Sequence, residues 1–275
     1  MRMIHDLIYI KFYKLNIYSN IAFINFFHIL YYMNLSKINK FSDFVSTNNY
    51  IIYSNDFKLK LKTIQPPNKQ IFEPNRNEIV IELGKSIAII YNKITTKITC
   101  IFYSEPEYIQ SEYILTKPTK FLTPYIKYMV STVTNPSNCL IIGLCLGNMP
   151  NGLIGTFGNK INRIDCIEIN SLLCKFYKKY LCISDQIHVY SSSGMDFVKT
   201  TKKSYSFVSI DIPCKYITKK FMNLIDIITS KFKDRIIVLN IIGEECNINS
   251  IKKSISHFKN ITFKKISSNI ICILN

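Results

Sequence analysis

The chain has nine cysteines, at positions 100, 139, 145, 166, 174, 182, 214, 246 and 272, and no C-x-x-C pair among them. The set is odd and dispersed, and several members lie inside apolar runs where a free thiol behaves as a small hydrophobe. Reduced thiols are therefore expected rather than a disulfide framework. Four histidines, His5, His28, His188 and His257, stand far apart. Tetrahedral sites need clustered ligands, so no metal is expected. No long apolar run is present either. The stretch Ile21 to Met33 is interrupted by Asn25 and His28 and falls short of the roughly 20 residues that cross a bilayer. No small-residue cleavage site follows it, and no internal repeat is visible.

Acidic residues are scarce: 18 Asp and Glu against 35 Lys and Arg leave a net charge of +17. The basic residues are scattered through a chain rich in lysine, isoleucine and asparagine, as an AT-rich coding sequence would produce. By the patch criterion, nucleic acid is not an expected partner. What the chain does have is an apolar content of 48% over 275 residues, enough for a sizeable core.

Three regions follow from the patterning. Residues 1–70 read as a divergent N-terminal extension, with an organelle-targeting segment as the alternative and a membrane anchor last; the expected compartment is the cytoplasm. Turn residues at Gln65-Pro66-Pro67-Asn68 and Pro74-Asn75-Arg76-Asn77 place a boundary near residue 70. Residues 71–119 read as a small antiparallel β subdomain. Its β-branched runs are Glu78 to Leu83, Ser86 to Tyr91 and Lys97 to Tyr103, with Gly84-Lys85 as a hairpin turn. Gln110-Ser111-Glu112 fits a helix N-terminus equally well. Residues 120–275 form an α/β domain. Apolar spacing predicts a helix over Lys120 to Thr134, and strands then alternate with helices: strand 139–143, helix 150–158, strand 162–168, helix 171–181, strand 187–190, helix 194–200, strand 205–211, helix 218–231 and strand 235–241. That alternation predicts a mostly parallel sheet covered on both faces. A helix over 248–258 leads into Ile261 to Ile266 and Asn269 to Leu274, which Ser267-Ser268 must join as an antiparallel hairpin.

The apolar run Cys139-Leu140-Ile141-Ile142 enters Gly143-Leu144-Cys145-Leu146-Gly147-Asn148-Met149-Pro150, and the run Ile161 to Ile167 ends at Glu168. Glycines permit a sharp turn and close approach to a ligand, and an acidic residue at the next strand tip can accept ribose hydroxyls. The pair points to a nucleotide-type cofactor. Asp211, ending the strand Ser206 to Ile210, is either a site carboxylate or a cap for the next helix.

Together with Ile109-Gln110-Ser111-Glu112, Lys127-Tyr128-Met129, I-D-C-I-E-I at 164–169 and Ile237-Val238-Leu239-Asn240, these segments resemble the spermidine-synthase-like methyltransferases. Within that family the likeness is strongest to the branch that modifies eukaryotic elongation factor one-alpha. It runs from about residue 78 to 275. The resemblance implies a Rossmann-like class I methyltransferase sheet, mostly parallel with an antiparallel C-terminal hairpin, preceded by a small antiparallel β subdomain. It implies S-adenosylmethionine as cofactor, held by Gly143, Cys145, Gly147, Glu168, Ile169, Ser193 and Gly194, with Gln110 and Asp211 lining the same cavity. Asp211 would face the sulfonium and orient the acceptor amine, and Asn240 would fix that amine through its amide oxygen. The expected activity is methylation of a protein amine, N-terminal or lysine, with elongation factor one-alpha as the family's example of a partner and a homodimer as the family's example of an assembly.

Three positions depart from the family pattern. Cys145 replaces a loop glycine, Ser193 replaces an adenine-contacting aspartate, and Pro213 stands where a second acidic residue is usual. Leu146 replaces the acidic residue that aminopropyltransferases use for the donor's amine, which ranks polyamine synthesis below methyl transfer. An inactive cofactor-binding or scaffold homologue is the third reading.

Overall fold

The computed structural model describes residues 78–83, 87–92, 94–102, 109–212, 219–232, 235–242, 251–252 and 255–275. The N-terminal extension, the turn expected at Gly84-Lys85, Pro213 and five of the eleven residues of the helix expected over 248–258 lie outside these residues. Within that last segment 251–252 are helical and 255–257 form a turn.

A four-stranded antiparallel sheet comes first, in the order β1-β2-β3-β4: β1 (Glu78–Leu83), β2 (Ile87–Asn92), β3 (Lys97–Phe102) and β4 (Ile109–Ile114). Three of these strands match the expected β runs. The fourth corrects the helix-start alternative for Gln110-Ser111-Glu112. In β4 the buried residues are Ser111 and Tyr113, alternating with half-buried Gln110, Glu112 and Ile114, a two-residue period that the inward-facing serine conceals. β4 carries a bulge, because Cys100 pairs with Ser111 while Ile101 pairs with Ile109, leaving Gln110 as the extra residue. Bulges re-aim side chains and are frequent beside functional sites.

Helix α1 (Pro124–Ser131) then leads into the larger sheet. It is shorter than the helix expected over 120–134. Proline is suited to the first turn of a helix because it has no amide hydrogen to leave unpaired, so Pro124 sets the start. The remaining elements are β5 (Asn138–Ile142), α2 (Asn148–Phe157), β6 (Arg163–Glu168), α3 (Ser171–Phe176), β7 (Ile187–Ser191), α4 (Gly194–Thr200), β8 (Phe207–Asp211), α5 (Lys219–Lys231), β9 (Ile236–Ile242), β10 (Ile261–Ile266) and β11 (Asn269–Leu274). Strand order is β10-β11-β9-β8-β5-β6-β7. β5 to β9 pair in parallel, and β11 runs antiparallel to both β9 and β10. Chain order reverses between β5 and β8, and open α/β sheets bind ligands at such a switch point, beyond the carboxyl ends of the strands.

The core lies on both faces of this sheet, as a covered parallel sheet requires. Cys139, Ile141, Ile164 and Cys166 face the small sheet, α1 and α2; Leu140, Ile142, Ile167, Val208 and Ile210 face α5. The small sheet is docked by a buried polar network. Tyr113 of β4 donates to the Leu181 carbonyl at 3.1 Å, the Asn151 amide donates to the Tyr113 hydroxyl and the Leu181 carbonyl at 3.0 Å each, and Tyr177 donates to Asn151 Oδ1 at 2.6 Å. Leu181 ends a π-helical turn, Tyr177–Leu181, that continues α3 where the sequence reads as unbroken α-helix. The wider turn supplies the carbonyl that this network uses.

Asp165 is fully buried in the sheet. Asp165 of β6 accepts from Arg163 Nε at 2.8 Å, Lys203 Nζ at 2.9 Å and the Tyr205 hydroxyl at 2.7 Å. Burial alone would raise its pKa, but the bonds from Lys203, Tyr205 and Arg163 outweigh it and hold the carboxyl below its ordinary value of 3.8. A depressed folded-state pKa stabilises above the unfolded value, and the contribution is lost as pH falls through the folded one. Urea unfolding between pH 3 and pH 7 should show wild-type stability declining on the acid side. Asp165→Asn should flatten that decline, and an unchanged acid slope would remove Asp165 as its cause.

Candidate cofactor and acceptor site

The loop after β5 is built from left-handed residues. Gly143, Cys145 and Gly147 have φ of +97°, +44° and +76°. At Gly143 a Cβ would stand 2.1 Å from the Asp211 carbonyl oxygen, and at Gly147 one would stand 1.9 Å from the Tyr177 ring. Both glycines are required by conformation and by space. Cys145 accepts the left-handed conformation at a cost of about 1–2 kcal/mol. Leu146 is fully buried and is a packing residue of the core.

Glu168, at the tip of β6, faces this loop. Its Oε2 accepts from the Leu144 and Cys145 amides at 3.2 Å each, and its Oε1 accepts from the Asn170 amide at 2.9 Å. A carboxylate has about four acceptor positions, so a ribose diol would share Glu168 with the loop or displace one loop amide. Beside it Ile169 is 77% exposed and Leu172 38% exposed, an apolar surface at the start of α3 suited to a flat ring. Asn170 caps that helix, accepting from the Leu172 and Leu173 amides.

Ser193 caps α4. Its hydroxyl accepts from the Asp196 amide at 3.1 Å and donates to the Asp196 carboxylate at 2.7 Å. Gly194 packs against β5, where a Cβ would meet Ile142 Cγ2 at 2.6 Å. In this structure both positions have local structural duties, the cap on α4 and the packing against β5. Gln110 is placed by its bulge at the edge of the small sheet, next to the Cys100–Ser111 pair. Asn148 Nδ2 ties the start of α2 to the same strand, donating to Ser111 Oγ at 3.2 Å and to the Glu112 carbonyl.

On the other side of the loop, Asp211 ends β8 directly opposite Asn240 of β9. Asn240 Nδ2 donates to Asp211 Oδ1 at 2.7 Å, and the Tyr125 hydroxyl donates to Asp211 Oδ2 at 3.1 Å. The carboxylate requires a donor from Asn240, and this orients the amide so that its Oδ1 is buried with no hydrogen-bond partner. Burial raises the Asp211 pKa, and the bonds from Asn240 and Tyr125 oppose the rise. Tyr125 is the residue that sequence reasoning missed. In the sequence it is one apolar position on a helix read as core, and its hydroxyl meets Asp211 only through the tertiary fold.

Among the described residues no helix is long and apolar enough to cross a membrane. No protein-family model and no curated protein matches the chain. Solved structures do. A probable spermidine synthase from Corynebacterium glutamicum aligns with a TM-score of 0.56 at 13% identity, covering 71% of this chain and 79% of that one. A spermidine synthase in complex with a transition-state analogue aligns at 0.54 and 14% identity, covering 75% and 74%. Human methyltransferase-like protein 13 in complex with SAH aligns at 0.45 and 17% identity, covering 55% of this chain and 81% of that one. The spermidine synthases cover about three quarters of the chain, the share that the two sheets occupy together. The observed architecture, a mostly parallel seven-stranded sheet closed by an antiparallel hairpin and preceded by a small antiparallel sheet, is the class I methyltransferase fold in its spermidine-synthase-like form.

Proposed function

We propose that the protein is an S-adenosylmethionine-dependent methyltransferase acting on an amine of a protein. The observation that carries this reading is the Asp211 carboxylate, held between Tyr125 and Asn240 while its own backbone carbonyl abuts the Gly143 turn. Acceptor-orienting and cofactor-holding groups thereby meet at one switch point.

The residues present fit the cofactor. Gly143 and Gly147 let the loop turn tightly against the Asp211 carbonyl and the Tyr177 ring, Glu168 offers an acceptor at the strand tip, and Ile169 and Leu172 offer an apolar face. When bound, S-adenosylmethionine would supply a methyl carbon open to in-line attack by an unprotonated amine, with the sulfonium sulfur leaving as a neutral thioether. Asp211 then has two duties, holding the amine in line and accepting its proton. The unpartnered Asn240 Oδ1 is an acceptor, which suits an N–H donor on the substrate. Elongation factor one-alpha, suggested by resemblance alone, is the first protein to test as acceptor.

A polyamine aminopropyltransferase is the second reading, favoured by the structural likeness to spermidine synthases. Buried Leu146 opposes it, since no acid is available there for the donor's amine. Calorimetric titration with S-adenosylmethionine and with its decarboxylated form separates the readings. Micromolar binding of the first alone is expected. Preference for the decarboxylated form would overturn methyl transfer in favour of aminopropyl transfer, and binding of neither would leave a scaffold.

A further inference from the structure

A connector, residues 115–123, carries the chain from β4 to α1, and it lies directly on the backbone of α2. Gly152 and Gly155 stand three residues apart on that helix, so they share a face. A Cβ at Gly152 would meet the Phe121 ring at 2.1 Å, and one at Gly155 would meet Thr119 Cβ at 2.4 Å. Both glycines are helical, a conformation that any residue adopts, and glycine inside a helix weakens it. Close approach of the connector is what requires them. Two turns bring Thr119 and Phe121 onto this seat: the Lys117 amide donates to the Ile114 carbonyl and the Lys120 amide to the Lys117 carbonyl, at 3.0 Å each. Four residues beyond Phe121 comes Tyr125, in the first turn of α1, whose hydroxyl reaches Asp211 Oδ2 at 3.1 Å. Pro124, between them, fixes the backbone angle at which α1 begins.

We propose that this connector is the positioning element of the acceptor side of the site: seated on Gly152 and Gly155, it holds Tyr125 against Asp211, and Gly152 is the positioning residue on which that placement turns. The proposal rests on the reading of Asp211 as the group that orients the acceptor. A methyl group added at Gly152 would occupy the place of the Phe121 ring, so either α2 or the connector has to move. The helix is tied down. Asn148 bonds to β4, and Asn151, the residue before Gly152, bonds to Tyr113 and to the Leu181 carbonyl. The connector is displaced instead, and with it go the start of α1 and the Tyr125 hydroxyl. Among the described residues the Asp211 carboxylate accepts from Tyr125 on α1 and from Asn240 on β9, so losing Tyr125 leaves it held by Asn240. A carboxylate that loses a donor binds its proton more readily, and Asp211 should then titrate at higher pH.

The test uses the full chain with aspartate labelled for NMR at its carboxyl carbon, and Asp211→Asn identifies the Asp211 resonance. Tyr125→Phe should raise its titration midpoint. Gly152→Ala should raise it as far, and adding Tyr125→Phe to Gly152→Ala should raise it no further, because the bond is already lost. Phe121→Leu in the Gly152→Ala background shortens the side chain that the new carbon meets and should return the midpoint toward wild type, a rescue that general loosening of the fold would not give. If urea unfolding shows that Gly152→Ala does not fold, Gly155→Ala, whose added carbon meets Thr119, takes its place with the same expected rise and Thr119→Ser as its rescue. A midpoint unchanged in the folded glycine variant would overturn the proposal, as would a further rise on adding Tyr125→Phe or a failure of the rescue. Methyl transfer to elongation factor one-alpha is a separate readout: Gly152→Ala should lower turnover by up to about 10²-fold, the cost of a small misplacement at a reacting centre, and Phe121→Leu should restore it. If the wild-type chain does not methylate that protein, the choice of acceptor fails, while the titration still decides whether the connector holds Tyr125 in place.

Discussion

Asp211→Ala is expected to lower methyl transfer by about 10²- to 10⁴-fold, the ordinary contribution of a positioned acid–base group, with cofactor affinity essentially unchanged. Its carboxylate is hydrogen-bonded by Tyr125 and Asn240 rather than by the residues around Glu168. Steady-state kinetics beside calorimetry checks the split between turnover and binding. Unaltered turnover would remove Asp211 from the mechanism, and a collapse of cofactor binding would make it a cofactor ligand instead. The pH profile gives an independent readout. Because burial raises the carboxyl, activity should decline on the acid side above the usual carboxylate range as Asp211 protonates and can no longer accept the amine's proton. Tyr125→Phe removes a bond that favours the ionised form, so its acid limb should move to higher pH. Stability has the opposite sign. A carboxyl raised on folding binds its proton more tightly in the native state, so at neutral pH Asp211 weakens the fold. Asp211→Asn should therefore lose activity while gaining stability, a combination that a merely structural residue would not show.

The second large effect is on folding. Gly147→Ala should destabilise the chain by about 2–5 kcal/mol, combining the left-handed penalty with overpacking. The added carbon would stand 1.9 Å from the ring of Tyr177, which is fully buried and fixed by its bond to Asn151. Urea unfolding of the variant decides the matter; a loss no larger than about 1–2 kcal/mol, the left-handed penalty alone, would show that space around Tyr177 contributes nothing.

The legible part of this protein was what local pattern encodes. Alternating apolar runs placed the strands of the larger sheet to within a residue or two, and the β5 loop and Glu168, singled out together, are hydrogen-bonded to each other. β4 was harder, because Ser111 occupies an inward position and breaks the apolar alternation. The start of α1 was displaced because Phe121 and Leu122 continue the helical spacing through residues that Pro124 excludes from the helix. Contacts between distant segments were not legible. Tyr125 and Asp211 are 86 residues apart, and no periodicity links them.

The knot of hydroxyl, amide and carbonyl groups shared by Tyr113, Asn151, Tyr177 and Leu181 binds the fate of the two sheets together. Stripped of its smaller neighbour, the larger sheet would keep Asn151 sealed in the interior with one of its two acceptors gone, a state costlier than never having buried it. The β1–β4 layer is therefore as much part of the folded body as the strands of the larger sheet.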